Sequence, residues 1–240
     1  MEMNQTEISQ MEEKQIIEYR ELLLGSDSAD MYDVLDRMGY PNQCMDIGIG
    51  PLRDDMKVAG PAFTYWGMRE PRYDEQLPPR PDFDNNAIFT KITKHCVIVI
   101  NAEKDDVAGH WGEMMSYGAR AAGAVGAVVD GGTRDKRGIL KIDNWACFAR
   151  YTSPVESKKR WRPIQSQVPI YVTGTLTKQI LVRPGDWIFG DCDGVIVIPA
   201  EILPEAVEKV TEISRSETLS RADFNAGATF AEVYAKYRRA

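Results

Sequence analysis

Two acids and one arginine carry the most visible chemistry in this 240-residue sequence. Glu113 lies in Gly112-Glu-Met-Met115, and twenty residues separate it from Arg134-Asp135. Hard divalent cations such as Mg²⁺ and Mn²⁺ take one or two carboxylates and leave their other positions to water and substrate. Asp135 and Glu113 are therefore candidate metal ligands. Arg134 is a planar, two-pronged donor for a carboxylate or phosphate. The same anion suits the amides of Gly112, Glu113, Met114 and Met115 if a helix starts there, because first-turn N–H groups lack intrahelical partners. The plainer alternative is a salt-bridged turn in which Arg134 pairs with Asp135 or Glu113.

The elements around these residues must position them. Cys96-Val-Ile-Val-Ile-Asn101 is an apolar run of strand length, and Val125-Gly-Ala-Val-Val-Asp130 is a second. Between them, 112–122 is rich in Ala and Met and suits a helix that Gly123 ends. Strand, helix, strand in this order makes a βαβ unit with parallel strands. The loops at 107–112 and 131–135 then leave the carboxyl ends of those strands, where open α/β sheets hold ligands.

Several other chemistries are excluded or remote. With His95 and His110 as the only histidines, a multi-histidine metal site is excluded and a Ser-His-Asp engine is hard to build. His110 adjoins the proposed anion loop; it either touches substrate or merely bonds backbone. Lys136 is the one lysine near the site in sequence, and with Arg137 it is expected to face solvent, so nothing points to a Schiff base. A net charge of −7 argues against a general nucleic-acid binder. No apolar run spans a membrane and the N-terminus lacks a signal peptide's regions, which suggests a cytoplasmic protein. Cys44, Cys96, Cys147 and Cys192 are far apart and fit reduced thiols.

Along the chain, Ile16 to Leu23 has helical period, and Ser28 or Asp30 caps a second helix that Gly39 closes. Residues 58–65 read as a strand. Tyr65 to Asn86 is rich in Pro, Arg and Asp and reads as an irregular insertion: a surface loop, a flap or a subunit contact. Ala87 to Thr93 reads as a short helix. The basic run Lys158-Lys-Arg-Trp-Arg162 is expected to be a solvated loop; alternatively Arg150 or a neighbouring subunit's base holds a second substrate carboxylate. Residues 168–172, 180–182, 187–190 and 194–198 read as antiparallel strands, with a hairpin turn in 190–194. Glu201 to Ser220 and a helix from Thr229 close the chain. The expected organisation is one α/β domain, with a 56–200 core between helical arms at 1–55 and 201–240. The arms' apolar faces point to subunit packing.

The order of motifs resembles the 4-hydroxy-4-methyl-2-oxoglutarate aldolase family, which includes the regulator of ribonuclease E activity A. The aldolases carry an acid, twenty residues, then Arg-Asp, as Glu113 and Arg134-Asp135 do here. Asp33-Val-Leu-Asp-Arg-Met-Gly39, Val58-Ala-Gly-Pro-Ala62, Cys147-Phe-Ala-Arg150, Thr152-Ser-Pro154, Pro184-Gly-Asp186 and Gly190-Asp-Cys-Asp-Gly-Val-Ile-Val-Ile-Pro199 also resemble family motifs. The resemblance implies the swivelling β/β/α fold, trimers or hexamers, and a Mg²⁺- or Mn²⁺-dependent lyase. The implied reaction is aldol cleavage of a 4-hydroxy-2-oxo acid or decarboxylation of oxaloacetate, both through pyruvate enolate. In that reading Arg134 and the 112–115 amides hold the pyruvate carboxylate, and Glu217 resembles an acid that a neighbouring subunit supplies. The competing class is a non-catalytic regulator that binds a ribonuclease or helicase. That branch lacks the first acid, which Glu113 supplies here. Glu113 replaces the aldolases' usual Asp, and Gly138 stands where a decarboxylating branch has an acid.

Overall fold

The computed structural model describes residues 12–78 and 88–237. The distal part of the 65–86 insertion and the start of the helix expected at 87–93 lie outside them. The centre is the expected parallel unit. Strand β3 (Val97–Asn101) is followed by β4 (Gly109–Trp111), helix α3 (Glu113–Ala121) and β5 (Gly126–Thr133), and β3 pairs with β5 in parallel. Gly123 ends the helix at φ +108°, a conformation that costs glycine little. Helices α1 (Glu13–Leu24) and α2 (Ser28–Arg37) and strands β1 (Gly50–Pro51) and β2 (Val58–Arg69) precede this unit. It is followed by α4 (Lys136–Ile139), β6 (Ala146–Thr152), β7 (Trp161–Ser166), β8 (Ile170–Thr173), β9 (Gln179–Val182), β10 (Trp187–Asp191), β11 (Gly194–Ile198), α5 (Leu203–Asn225) and α6 (Phe230–Tyr237).

The main sheet runs β1-β6-β5-β3-β2-β10-β11, with β4 beside β5 and β7 beside β2. Its middle is parallel, and its margins β1 and β10–β11 are antiparallel. Strands β8 and β9 form the separate antiparallel pair expected from their turn spacing. This is a mixed α/β fold. Val97, Ile98, Val99 and Ile100 are all buried, as a strand covered on both faces requires.

Three expectations need correction. The 131–135 loop is mostly strand, because β5 continues through Gly131, Gly132 and Thr133 beside β4, which was itself expected to be loop. Missing side chains allow this: a Cβ on Gly132 would stand 2.4 Å from the Tyr151 ring. The insertion begins later than 65, because β2 continues to Arg69 and pairs with β7, with a bulge at Trp66/Gly67. The N-cap of α2 is Asp27. Ser28 instead donates from its amide and hydroxyl to Asp191 at the end of β10, at 2.7 and 2.6 Å.

The end helices are also less bare than expected. Leu23 of α1, Met31 and Leu35 of α2, and Val207 and Val210 of α5 pack with Trp187 and Phe189 of β10 in one buried cluster. Each such side chain contributes about 1.5–3 kcal/mol by leaving water, so these faces stabilise the chain itself. Apolar surface remains on Leu219, Phe224, Phe230 and Tyr234 of α5 and α6. The Phe224, Phe230 and Tyr234 rings stack there. A Thr229–Glu232 capping box starts α6, as Thr229 suggested.

Candidate active site

The strand pairing that extends β5 delivers Arg134 and Asp135 beside the start of α3. The Arg134 amide donates to Trp111 O at 2.8 Å, and the Thr133 hydroxyl donates to the same carbonyl at 2.7 Å. Asp135 turns left-handed at φ 60°, ψ 30° and caps α4. Gly112 caps α3 from an extended backbone with no side-chain cap. A Cβ at Gly112 would lie 2.9 Å from Asp135 Oδ2 and 3.3 Å from Arg134 Cγ. Only a bare backbone lets the helix start approach the Arg-Asp pair so closely. Ser116 N–H is already bonded to Gly112 O, so the first-turn amides of Glu113, Met114 and Met115 are the ones without an intrahelical acceptor.

Glu113 begins α3, and its carboxylate lies over Gly138 in α4. A Cβ at Gly138 would stand 2.2 Å from Glu113 Cδ. The longer acid and the missing side chain are therefore complementary in space. Gly138→Ala should push the Glu113 carboxylate aside at little cost to the fold, because the obstacle is the end of a flexible side chain. Stability should stay within about 0.5–1 kcal/mol of the parent in urea unfolding, while any turnover at this site should fall by roughly tenfold. Equal turnover would show that the position of Glu113 is immaterial.

Arg134 Nε lies 3.3 Å from Asp135 Oδ2, and both side chains are partly exposed. The salt-bridged alternative is thus present, but so is the convergence on Gly112. An exposed pair of this kind adds only about 0–1 kcal/mol to stability. Lys136 and Arg137 face solvent, as expected.

Gly112, Met114, Met115 and Arg134 line a cleft of about 830 Å³. Its other wall comes partly from the insertion, in line with the flap alternative for that segment. Glu70, Arg72, Glu75, Leu77 and Pro78 come from the insertion, Lys158, Lys159 and Arg162 from the basic run, and Glu156 and Ser157 from just before it. These two segments meet because β2 pairs with β7. Arg72 forks onto Glu70 at 2.8 Å through each nitrogen and holds that carboxyl down at about 2. Lys159 lies 4.3 Å over the Tyr73 ring. Lys158, Lys159 and Arg160 are exposed, as a solvated loop implies, whereas Trp161 is buried and opens strand β7 with Arg162. The cleft is backed by Tyr65, Trp111 and Trp161.

Arg150 does not reach this cleft. Its Nε donates to Asp130 at 2.7 Å and its Nη1 to Asp46 at 2.9 Å, and Nη2 contacts Thr173. Asp130 is 2 % exposed and also accepts from the Thr173 amide and hydroxyl. Holding a substrate carboxylate would break this network, so Arg150 is a structural residue rather than a substrate ligand. Arg150→Lys keeps the charge but loses the fork. It should lower the unfolding free energy by about 2 kcal/mol, read as a lower urea midpoint at unchanged slope. An unchanged midpoint would show that the network contributes nothing.

His110 is buried. Gly132 N–H donates to its Nδ1 at 3.2 Å, and the ring meets Trp161 edge to face. Its Nε2 lies 3.2 Å from Asp105 Oδ2, outside hydrogen-bond alignment. Burial pushes the imidazole below its usual range, against the pull of Asp105. His110 thus bonds backbone, the plainer of its two readings. His95 is remote and lies 3.2 Å from Glu13.

Glu217 sits on α5, where an oxygen of its carboxylate lies within 4.8 Å of ones from Asp27 and Asp30. It also pairs with Arg221 at 3.1 Å. Within the chain it belongs to that cluster. All four cysteines are free thiols.

A model of the RraA-like family, described as Aldolase/RraA, matches residues 28–197. The chain belongs to the RraA-like family. That stretch contains every residue of the Gly112–Glu113–Arg134–Asp135 site. DlpA of Legionella pneumophila is 30% identical over 216 residues, covering 90% of this chain and 33% of that protein. A Halalkalibacterium halodurans protein, provisionally named a 4-hydroxy-4-methyl-2-oxoglutarate aldolase, is 35% identical over 63% of this chain and 64% of its own length. The RraA-like chain thus spans about a third to just under two thirds of these relatives. Among solved structures, Streptomyces coelicolor RraAS2 superposes with TM-score 0.70 at 25% identity, covering 85% of this chain and 97% of that one. It is described as an unusual member of the RNase ES inhibitor RraA family. An uncharacterized Pseudomonas syringae protein superposes at TM-score 0.73 and 24% identity over 90% of this chain, which speaks for the fold alone. No helix among the described residues is long and apolar enough to cross a membrane.

Proposed function

We propose that the chain is a divalent-metal-dependent lyase that releases pyruvate from a 4-hydroxy-2-oxo acid, with oxaloacetate decarboxylation as a second outlet for the same site. The observation that carries this is the close approach of Asp135 Oδ2 and Arg134 to the bare helix start at Gly112, with Gly112 and Arg134 themselves on the cleft. Arg134 and the amides of Glu113, Met114 and Met115 hold the pyruvate carboxylate. Asp135 and Glu113 fit a hard cation by donor type: two oxygen acids at facing helix starts, with positions left for substrate and water. A hard cation held by these acids would supply Lewis-acid stabilisation of the oxyanion that develops on carbon–carbon cleavage. Trp111, Trp161 and Tyr65 keep water from one side of the substrate. His110 is committed to Gly132 and presents no base to the cleft.

Oxalate, a planar dianion of pyruvate enolate's size, tests the two-acid site. It should bind far more tightly with Mg²⁺ or Mn²⁺ than with EDTA in a calorimeter. Equal binding with EDTA would contradict the site.

The assembly proposed is a homotrimer or hexamer, in which Glu217 of a neighbouring subunit comes near the cleft. The aromatic stack on α5 and α6 is apolar surface that such packing would cover. Light scattering at micromolar concentration should give three or six times 27.0 kDa. A fully active monomer would refute the shared site. The family description and the RraAS2 likeness leave a regulator as the second reading, and the acid Glu113 speaks against it.

A further inference from the structure

Arg134 and Asp135 follow two glycines, and Gly-Gly is the most pliable backbone a chain can offer. Something must fix it if the next residues are to meet Gly112 reproducibly. The His110 imidazole lies flush on this segment. A Cβ at Gly131 would stand 2.8 Å from Nδ1, and the Gly132 amide donates to that same nitrogen at 3.2 Å. Gly132 O also lies 3.3 Å from Nδ1, but the Asp105 carboxylate 3.2 Å from Nε2 favours a neutral ring with its proton on Nε2, which makes Nδ1 the acceptor of the Gly132 amide. Asp105 is itself fixed: its Oδ2 accepts from the Val107 and Ala108 amides at 3.2 Å. Its Oδ1 lies 3.5 Å from Arg69, at the end of β2. Tyr151 closes the other side, donating to Asp105 O and Ala108 O at 2.9 and 3.0 Å. Arg134 Cβ packs on Gly109, the residue before His110. The groups facing the ring or its partners are thus Asp105, Arg69, Tyr151 and Arg134.

We propose that His110 is a positioning residue: it clamps the Gly131–Gly132 backbone and so sets where Arg134 and Asp135 stand against Gly112. The effect on turnover rests on the lyase reading; the effect on the backbone does not. A positioning acceptor can be told from bulk by choice of substitution. Asn places an oxygen near the position of Nδ1. Gln is nearer histidine in volume but carries its polar end towards Asp105.

The test is amide hydrogen exchange in a peptide covering 130–136, with Val97–Asn101 as internal reference, for His110→Asn, His110→Gln and His110→Ala. Losing one hydrogen bond of about 1 kcal/mol should speed Gly132 exchange roughly fivefold in the Gln and Ala variants, while Asn stays within about twofold of the parent. Turnover should follow the same order, with Asn nearest the parent. Asp105→Asn leaves the ring in place and should fall between the parent and His110→Ala in exchange, which keeps the clamp testable if a His110 variant folds poorly. Gln matching the parent better than Asn would overturn the proposal in favour of bulk. Faster exchange with unchanged turnover would overturn the positioning role. The predicted exchange order, with no turnover even in the parent, would support the clamp and remove the lyase reading.

Discussion

Asp135→Asn should abolish metal-dependent turnover while leaving the fold intact. Asp135 occupies a left-handed backbone conformation, which asparagine tolerates as well as aspartate does. The substitution therefore removes one charge with almost no change of shape. Its side chain is nearly half exposed and its recorded ion pair is the 3.3 Å contact with Arg134, so little stability depends on it. If Asp135 is the principal protein ligand, the loss should be about 4 kcal/mol or more in transition-state binding, roughly a thousandfold. Glu113→Asp should be milder. It restores the acid common in the aldolases and draws the carboxylate back from Gly138 by one methylene. Activity should stay within roughly tenfold if a water lies between Glu113 and the ion, and fall further if Glu113 binds it directly. Full Mg²⁺- or Mn²⁺-dependent turnover in Asp135→Asn would leave these loops as a salt-bridged turn.

Arg134→Ala should cost about 2–5 kcal/mol in kcat/KM, as loss of a charge partner covered by bound substrate does. Arg134→Lys should recover little, because a point charge does not reproduce the planar fork. The pair with Asp135 is exposed in the free protein, so the unfolding midpoint should barely move in either variant. That contrast separates a binding role from a structural one. Near-normal kcat/KM in Arg134→Ala would remove Arg134 from the site.

The parallel unit was legible because its cues are local. Val97–Asn101 and the run from Val125 are continuous apolar segments of strand length, and Gly123 marks a helix end. The acids and Arg134 were legible for the same reason, since each sits at a junction between such segments. What escaped depends on residues far apart in sequence. Gly131–Gly132 has loop composition, yet it is strand because His110 and Tyr151 pack on the bare backbone. Residues 65–69 adjoin a Pro- and Arg-rich stretch, yet they are strand because Trp161–Ser166 pairs with them about a hundred residues later. Arg150 looked like a free cation because Asp130 and Asp46 lie 20 and 104 residues away. The end helices looked like arms awaiting a partner, and Trp187 and Phe189 of the same chain cover much of their apolar face.

The central claim is best tested by pyruvate release from a panel of 4-hydroxy-2-oxo acids and oxaloacetate, each with Mg²⁺, with Mn²⁺ and with EDTA. The parent chain should release pyruvate from at least one of them with either ion, and EDTA should stop it. No release from any compound, or release that persists unchanged in EDTA, would contradict the metal-dependent lyase; no release at all would favour a regulator that acts through its surface.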